Sequence, residues 1–88
     1  MTKLQIEVRG IVQGVGFRPF VHRLVKEHGL SGWVRNTADG AGLELEGEEP
    51  ALEAFLAALG EDAPPLALIE SVEARPVQGG EHFEGFSI

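Results

Sequence analysis

Eighty-eight residues with no cysteine make one domain's worth of chain, above the roughly 40-residue floor below which disulfides or metals usually hold a fold together. The missing cysteines exclude a disulfide framework and a thiolate metal site, and leave the cytoplasm as the expected compartment. Seven basic against fourteen acidic side chains give a net charge of −7, which argues against a broad nucleic-acid footprint. The opening residues Met1-Thr2-Lys3-Leu4-Gln5-Ile6-Glu7 lack the apolar run of a signal peptide or membrane span, so no membrane partner is expected.

Charge is unevenly spread. Residues 1–36 hold six basic and two acidic side chains, net +4, whereas the remaining 52 residues are net −11. For most of these side chains a solvated surface is explanation enough.

Leu4, Ile6 and Val8 alternate with Gln5, Glu7 and Arg9, the period of two of a strand with one buried face. Three glycines within residues 10–16 then break regular structure and predict a loop. Phe17, Phe20, Val21, Leu24 and Val25 fall on one helical stripe, with Pro19 near its start and Gly29 past its end. Residues 30–35 read as a second strand, and Asn36-Thr37-Ala38-Asp39-Gly40-Ala41-Gly42 as the turn of a hairpin.

Leu43 and Leu45, alternating with Glu44 and Glu46, give a third strand ending at Gly47. Pro50 opens a second helix carrying Leu52, Phe55, Leu56 and Leu59, with Gly60 as its expected cap. After the connector Asp62-Ala63-Pro64-Pro65, residues 66–77 form a fourth extended segment, and 83–88 a short final strand with Phe86 and Ile88 on one face.

This order, βαββαβ, predicts an α+β fold: a ferredoxin-like sandwich of one antiparallel sheet with two helices on one face. The other sheet face carries Trp33, Arg35, Glu44 and Glu46 by parity and should be polar, with an embedded tryptophan.

The chemistry concentrates in Gly14-Val15-Gly16-Phe17-Arg18, between the first strand and the first helix. Successive amides at a helix N-terminus form an anion cradle. Arg18 adds a planar fork of donors that suits two phosphate oxygens at once. A tight structural turn with an exposed arginine would have the same short pattern. Asn36 has the donor and acceptor that can fix a water molecule without changing charge, although a turn asparagine is an equally ordinary use of the residue.

The longer pattern decides between these. Gly10-Ile11-Val12-Gln13-Gly14-Val15-Gly16-Phe17-Arg18, followed by Gly32-Trp33-Val34-Arg35-Asn36, resembles the signature pair of the acylphosphatase family, and the resemblance runs to Gly85-Phe86-Ser87-Ile88. It implies hydrolysis of an acyl phosphate. Gly14, Val15, Gly16, Phe17 and Arg18 would hold the phosphoryl group, and Asn36 would orient the attacking water. Arg18 and Asn36 are thus the catalytic pair, with no cofactor, no metal and no side chain assigned as general base.

Arg18-Pro19-Phe20-Val21 and Pro64-Pro65-Leu66-Ala67 also look like the N-terminal acylphosphatase-like domain of HypF-type carbamoyltransferases, which mature nickel-iron hydrogenases. That implies carbamoyl phosphate as substrate, inorganic phosphate and carbamate as products, and residues 1–88 as the N-terminal piece of a longer protein with downstream domains as partners. The alternatives are a free-standing acylphosphatase and a non-catalytic module binding carbamoyl phosphate or phosphate. His22, His28 and His82 have the wrong spacing for a metal site, and His28 is expected to finish the first helix. Glu48-Glu49 before Pro50 suits a helix dipole better than an acid pair.

Overall fold

The computed structural model describes residues 1–14, 16–80 and 82–88. Chain order is β1 (Thr2–Ile11), α1 (Phe17–Glu27), β2 (Ser31–Thr37), β3 (Gly40–Gly47), α2 (Glu49–Glu61), β4 (Leu68–Pro76) and β5 (Phe86–Ser87). The strands form one sheet in the order β4-β1-β3-β2-β5. No helix among the described residues is long and apolar enough to cross a membrane.

Register explains the core. Ile6 lies opposite Leu43, and Leu43 opposite Val34; Val8 lies opposite Ala41. These residues therefore share one face, and all five are buried. Phe17, Phe20, Val21, Leu24 and Val25 of α1 and Leu52, Phe55 and Leu59 of α2 complete the same cluster, so both helices lie on that face. The α1 stripe is the one expected from its spacing. The helix closes on Gly29 at φ 65°, where Leu30 N–H bonds to Val25 O at 3.0 Å and Gly29 N–H to Lys26 O at 3.2 Å, the paired bonds of a glycine-ended helix.

Several expectations need correction. The sheet is mixed, not wholly antiparallel, because β5 runs parallel to β2. The cause is the connection: β4 runs opposite to β1 and ends opposite Leu4, and the chain then crosses that end of the sheet and turns back to run alongside β2. On the way Val77 N–H bonds to Lys3 O at 2.9 Å, and Gly32 N–H meets Gly85 O at 2.8 Å. It therefore enters β5 at the start of β2.

The final strand is also shorter than 83–88, holding only Phe86 and Ser87. Asn36 lies inside β2, opposite Ala41, so the hairpin turn shrinks to Ala38 and Asp39. The second helix continues one residue past Gly60, to Glu61, with Asp62 as its C-cap.

The opposite sheet face is polar as expected. Gln5, Glu44 and Trp33 stand in one row across it, and the Arg35 guanidinium sits 5.2 Å from the Trp33 ring centre. Glu46 departs from this pattern: it is buried, with His82 and the Phe83 amide against its carboxylate.

Candidate active site

The loop from β1 to α1 is pegged at both ends in the core. Val12 and Phe17 are buried, while Gln13, Gly14, Gly16 and Arg18 are exposed between and beside them. Gly14 and Gly16 have φ of 72° and 78°, and a Cβ on either would meet nothing within 4 Å. Glycine is therefore needed for its left-handed backbone and not for lack of space.

Those two turns aim the start of α1 outward. Gly16 is the N-cap and supplies no side-chain bond. The first amide to turn inward is that of Phe20, bonded to Gly16 O at 3.1 Å. Pro19 has no N–H, so Phe17 and Arg18 are the helix residues with amides left for an outside acceptor. No acidic side chain occupies the first turn, which leaves the positive end of the helix dipole uncompensated.

Arg18 is exposed. Among the described residues it makes no ion pair; the pairs are Arg9 with Glu7, Arg23 with Glu27, and His82 with Glu46.

Asn36 reaches the same end of the molecule by another route. Strands β1 and β2 both run antiparallel to β3, so they point the same way and their ends lie at one edge of the sheet. Asn36 and Val8 both stand opposite Ala41, which puts Asn36 on the helix-covered face, yet it is exposed. It is the polar end of an otherwise apolar row, on the side of the sheet where α1 begins.

Two bonds stitch the loop's approach to the hairpin: Gly10 N–H to Asp39 O at 2.9 Å and Gln13 Nε2 to Thr37 O at 2.9 Å. Gln13 received no role from the sequence, because nothing in its spacing reveals a partner 24 residues away. Val15 lies outside the described residues.

The remaining candidates have structural uses. His28 caps α1, its Nδ1 2.8 Å from Leu24 O. The His22 ring stacks on Phe86 at 5.6 Å between centres. Glu48 is the N-cap of α2 and Glu49 lies in its first turn.

His82 Nδ1 is 2.8 Å from Glu46 Oε2, and Phe83 N–H donates to Glu46 Oε1 at 3.2 Å. The hydrogen bond with His82, helped by the Phe83 amide and by the charges of His82 and Lys3, holds the Glu46 carboxyl below its ordinary value against the opposing effect of burial.

A groove of about 360 Å³ on the polar sheet face, with Trp33, Arg35 and Arg75 in its walls, contains none of the loop residues. An anion cradle built from backbone amides is a surface feature and needs no deep cavity.

Comparison with known proteins agrees with this fold. The acylphosphatase family model matches residues 4–88. The carbamoyltransferase HypF2 of Cupriavidus necator is 45% identical over 87 residues, 99% of this chain but 11% of that protein. The acylphosphatase of Caldivirga maquilingensis is 43% identical, with 99% of this chain and 93% of that protein covered.

Among solved structures, full-length HypF in its phosphate- and nucleotide-bound form superposes with a TM-score of 0.92 at 41% identity, covering 98% of this chain and 11% of that one. The acylphosphatase of Bacillus subtilis gives 0.91 at 36%, covering 100% and 98%. The chain thus spans about a ninth of its HypF relatives and nearly all of the free-standing ones. With family model, fold and relatives in accord, the chain belongs to the acylphosphatase family and is an acylphosphatase-type hydrolase.

Proposed function

We propose that this domain hydrolyses carbamoyl phosphate to carbamate and phosphate, as the N-terminal domain of a HypF-type carbamoyltransferase in nickel-iron hydrogenase maturation. The observation that carries the site is Arg18: a guanidinium without an internal counter-charge among the described residues, at a helix start whose cap supplies no side-chain bond.

In this reading the amides of residues 14–18 and the Arg18 fork grip the phosphoryl oxygens, and Asn36 holds a water in line with the bond to be broken. The water oxygen bonds to phosphorus, and the P–O bond to the acyl or carbamoyl oxygen breaks. The leaving carboxylate or carbamate takes the electron pair, and the water's proton passes to a phosphate oxygen. Positioning and charge neutralisation supply the acceleration, so a side-chain base is not required.

Carbamoyl phosphate is favoured by the Arg18-Pro19-Phe20-Val21 and Pro64-Pro65-Leu66-Ala67 segments and by the HypF relatives. A free-standing acylphosphatase is the second reading, favoured by acylphosphatases matched almost end to end, such as that of Archaeoglobus fulgidus at 42% identity over 98% of its length.

Hydrolysis of carbamoyl phosphate and acetyl phosphate should be compared on one sample. A higher kcat/KM for carbamoyl phosphate supports the first reading, and equal or reversed values the second. Arg18→Ala should lose both phosphate binding and turnover, whereas Asn36→Ala should keep phosphate binding, measured calorimetrically, and lose turnover. Normal turnover in either variant would remove that residue from the mechanism, and binding without turnover in the unaltered chain would make it a binding module.

A further inference from the structure

Within the glycine-rich signature, Gln13 is a polar side chain to which neither phosphate nor water has been assigned. It is exposed, and its Nε2 donates to Thr37 O at 2.9 Å. A carbonyl oxygen only accepts, so the NH2 end of the carboxamide is the end that must face it. Thr37 directly follows Asn36 and ends β2.

Sheet order shows why such a bond matters. The loop grows from β1 and Asn36 stands on β2, with β3 between them. Two strand spacings put them roughly 9–10 Å apart, and β1 and β2 share no backbone ladder. What joins the loop's approach to the hairpin is the Gly10 to Asp39 backbone bond and, nearer the glycines, the Gln13 side chain.

We propose that Gln13 is a positioning residue for hydrolysis: by tying the phosphate loop to the carbonyl beside Asn36, it sets the separation between the phosphoryl group and the attacking water. This rests on the assignment of Arg18 to phosphate and Asn36 to water. Misplacement of reacting groups by about 1 Å can cost as much as ~100-fold in rate, so one exposed bond can matter greatly for turnover and little for folding.

The test uses Gln13→Ala and Gln13→Glu, assayed for acyl-phosphate hydrolysis, inhibition by inorganic phosphate and thermal unfolding. For Gln13→Ala, kcat should fall by roughly tenfold or more, with the phosphate inhibition constant and the unfolding midpoint near those of the unaltered chain. Gln13→Glu separates positioning from mere structure. Its carboxylate cannot donate to Thr37 O at neutral pH, but its protonated form can. Its activity relative to the unaltered chain should therefore rise as pH falls toward about 4.3, the ordinary glutamate value.

Unchanged kcat in Gln13→Ala, weakened phosphate inhibition with kcat intact, or a pH-independent ratio for Gln13→Glu would each overturn the proposal. Normal turnover in Asn36→Ala would instead overturn the water assignment beneath it, so the two failures are distinguishable.

Discussion

At Gly16 one backbone angle would govern the proposed phosphate site. At φ 78° an L side chain is strained by about 1–2 kcal/mol, although a Cβ there would touch nothing. Because Gly14 and Gly16 are themselves exposed, Gly16→Ala should relieve the strain by moving the loop and turning the Phe17 and Arg18 amides off target. Thermal melts should then show a loss no larger than about 1–2 kcal/mol, while calorimetric titration shows phosphate affinity reduced about tenfold or more. An unchanged affinity would mean that the left-handed turn does not aim the cradle. At this scale the sequence was informative where neighbours along the chain act together: the glycines after β1 end the strand, and α1 starts at Phe17 as its stripe predicts. It was silent where the partner is distant: the Gln13 bond to Thr37 crosses 24 residues and leaves no periodic trace.

The elements were legible to the extent that burial imposes a period. Both helices follow their apolar stripes, because α1 and α2 each bury one side against the sheet and must repeat every three to four residues. Turn chemistry was a poorer guide. Asn36 sits among turn formers, yet its pairing with Ala41 keeps it in β2, and that placement brings it to the edge where α1 starts. Phe55 illustrates what the stripes are worth. It is fully buried on α2, with its ring edge-on to His28 at 6.4 Å between centres. Phe55→Ala should cost about 3–5 kcal/mol, a large share of the ~5–15 kcal/mol that holds a domain of this kind together. Urea unfolding should show the midpoint falling steeply with the slope preserved, and a loss under about 1 kcal/mol would mean that α2 contributes little to the shared core.

For the whole molecule, the decisive feature is the crossing from β4 to β5, which no local pattern announces. Parity placed Glu46 on the solvated sheet face, and the crossing buries it there, bonded to His82 and to the Phe83 amide. That bond to His82 also lowers the Glu46 pKa, with the Phe83 amide and the charges of His82 and Lys3 acting in the same direction and burial opposing them. A carboxyl whose folded-state pKa lies below its unfolded value stabilises the fold above the unfolded value, and loses that contribution as pH falls through the folded one. Glu46→Gln should therefore be less stable than the unaltered chain at pH 7, and the gap should narrow with acidification as the native carboxylate takes up its proton. Denaturant titrations between about pH 7 and pH 3, a window that spans the ordinary carboxylate range, would measure it. A gap that stays constant across the window would show that the Glu46 charge does not fasten the crossing. A narrowing gap would tie β5, and with it the Phe86 contact to His22 on α1, to the ionisation of one buried side chain at the end of the sheet where β1 begins.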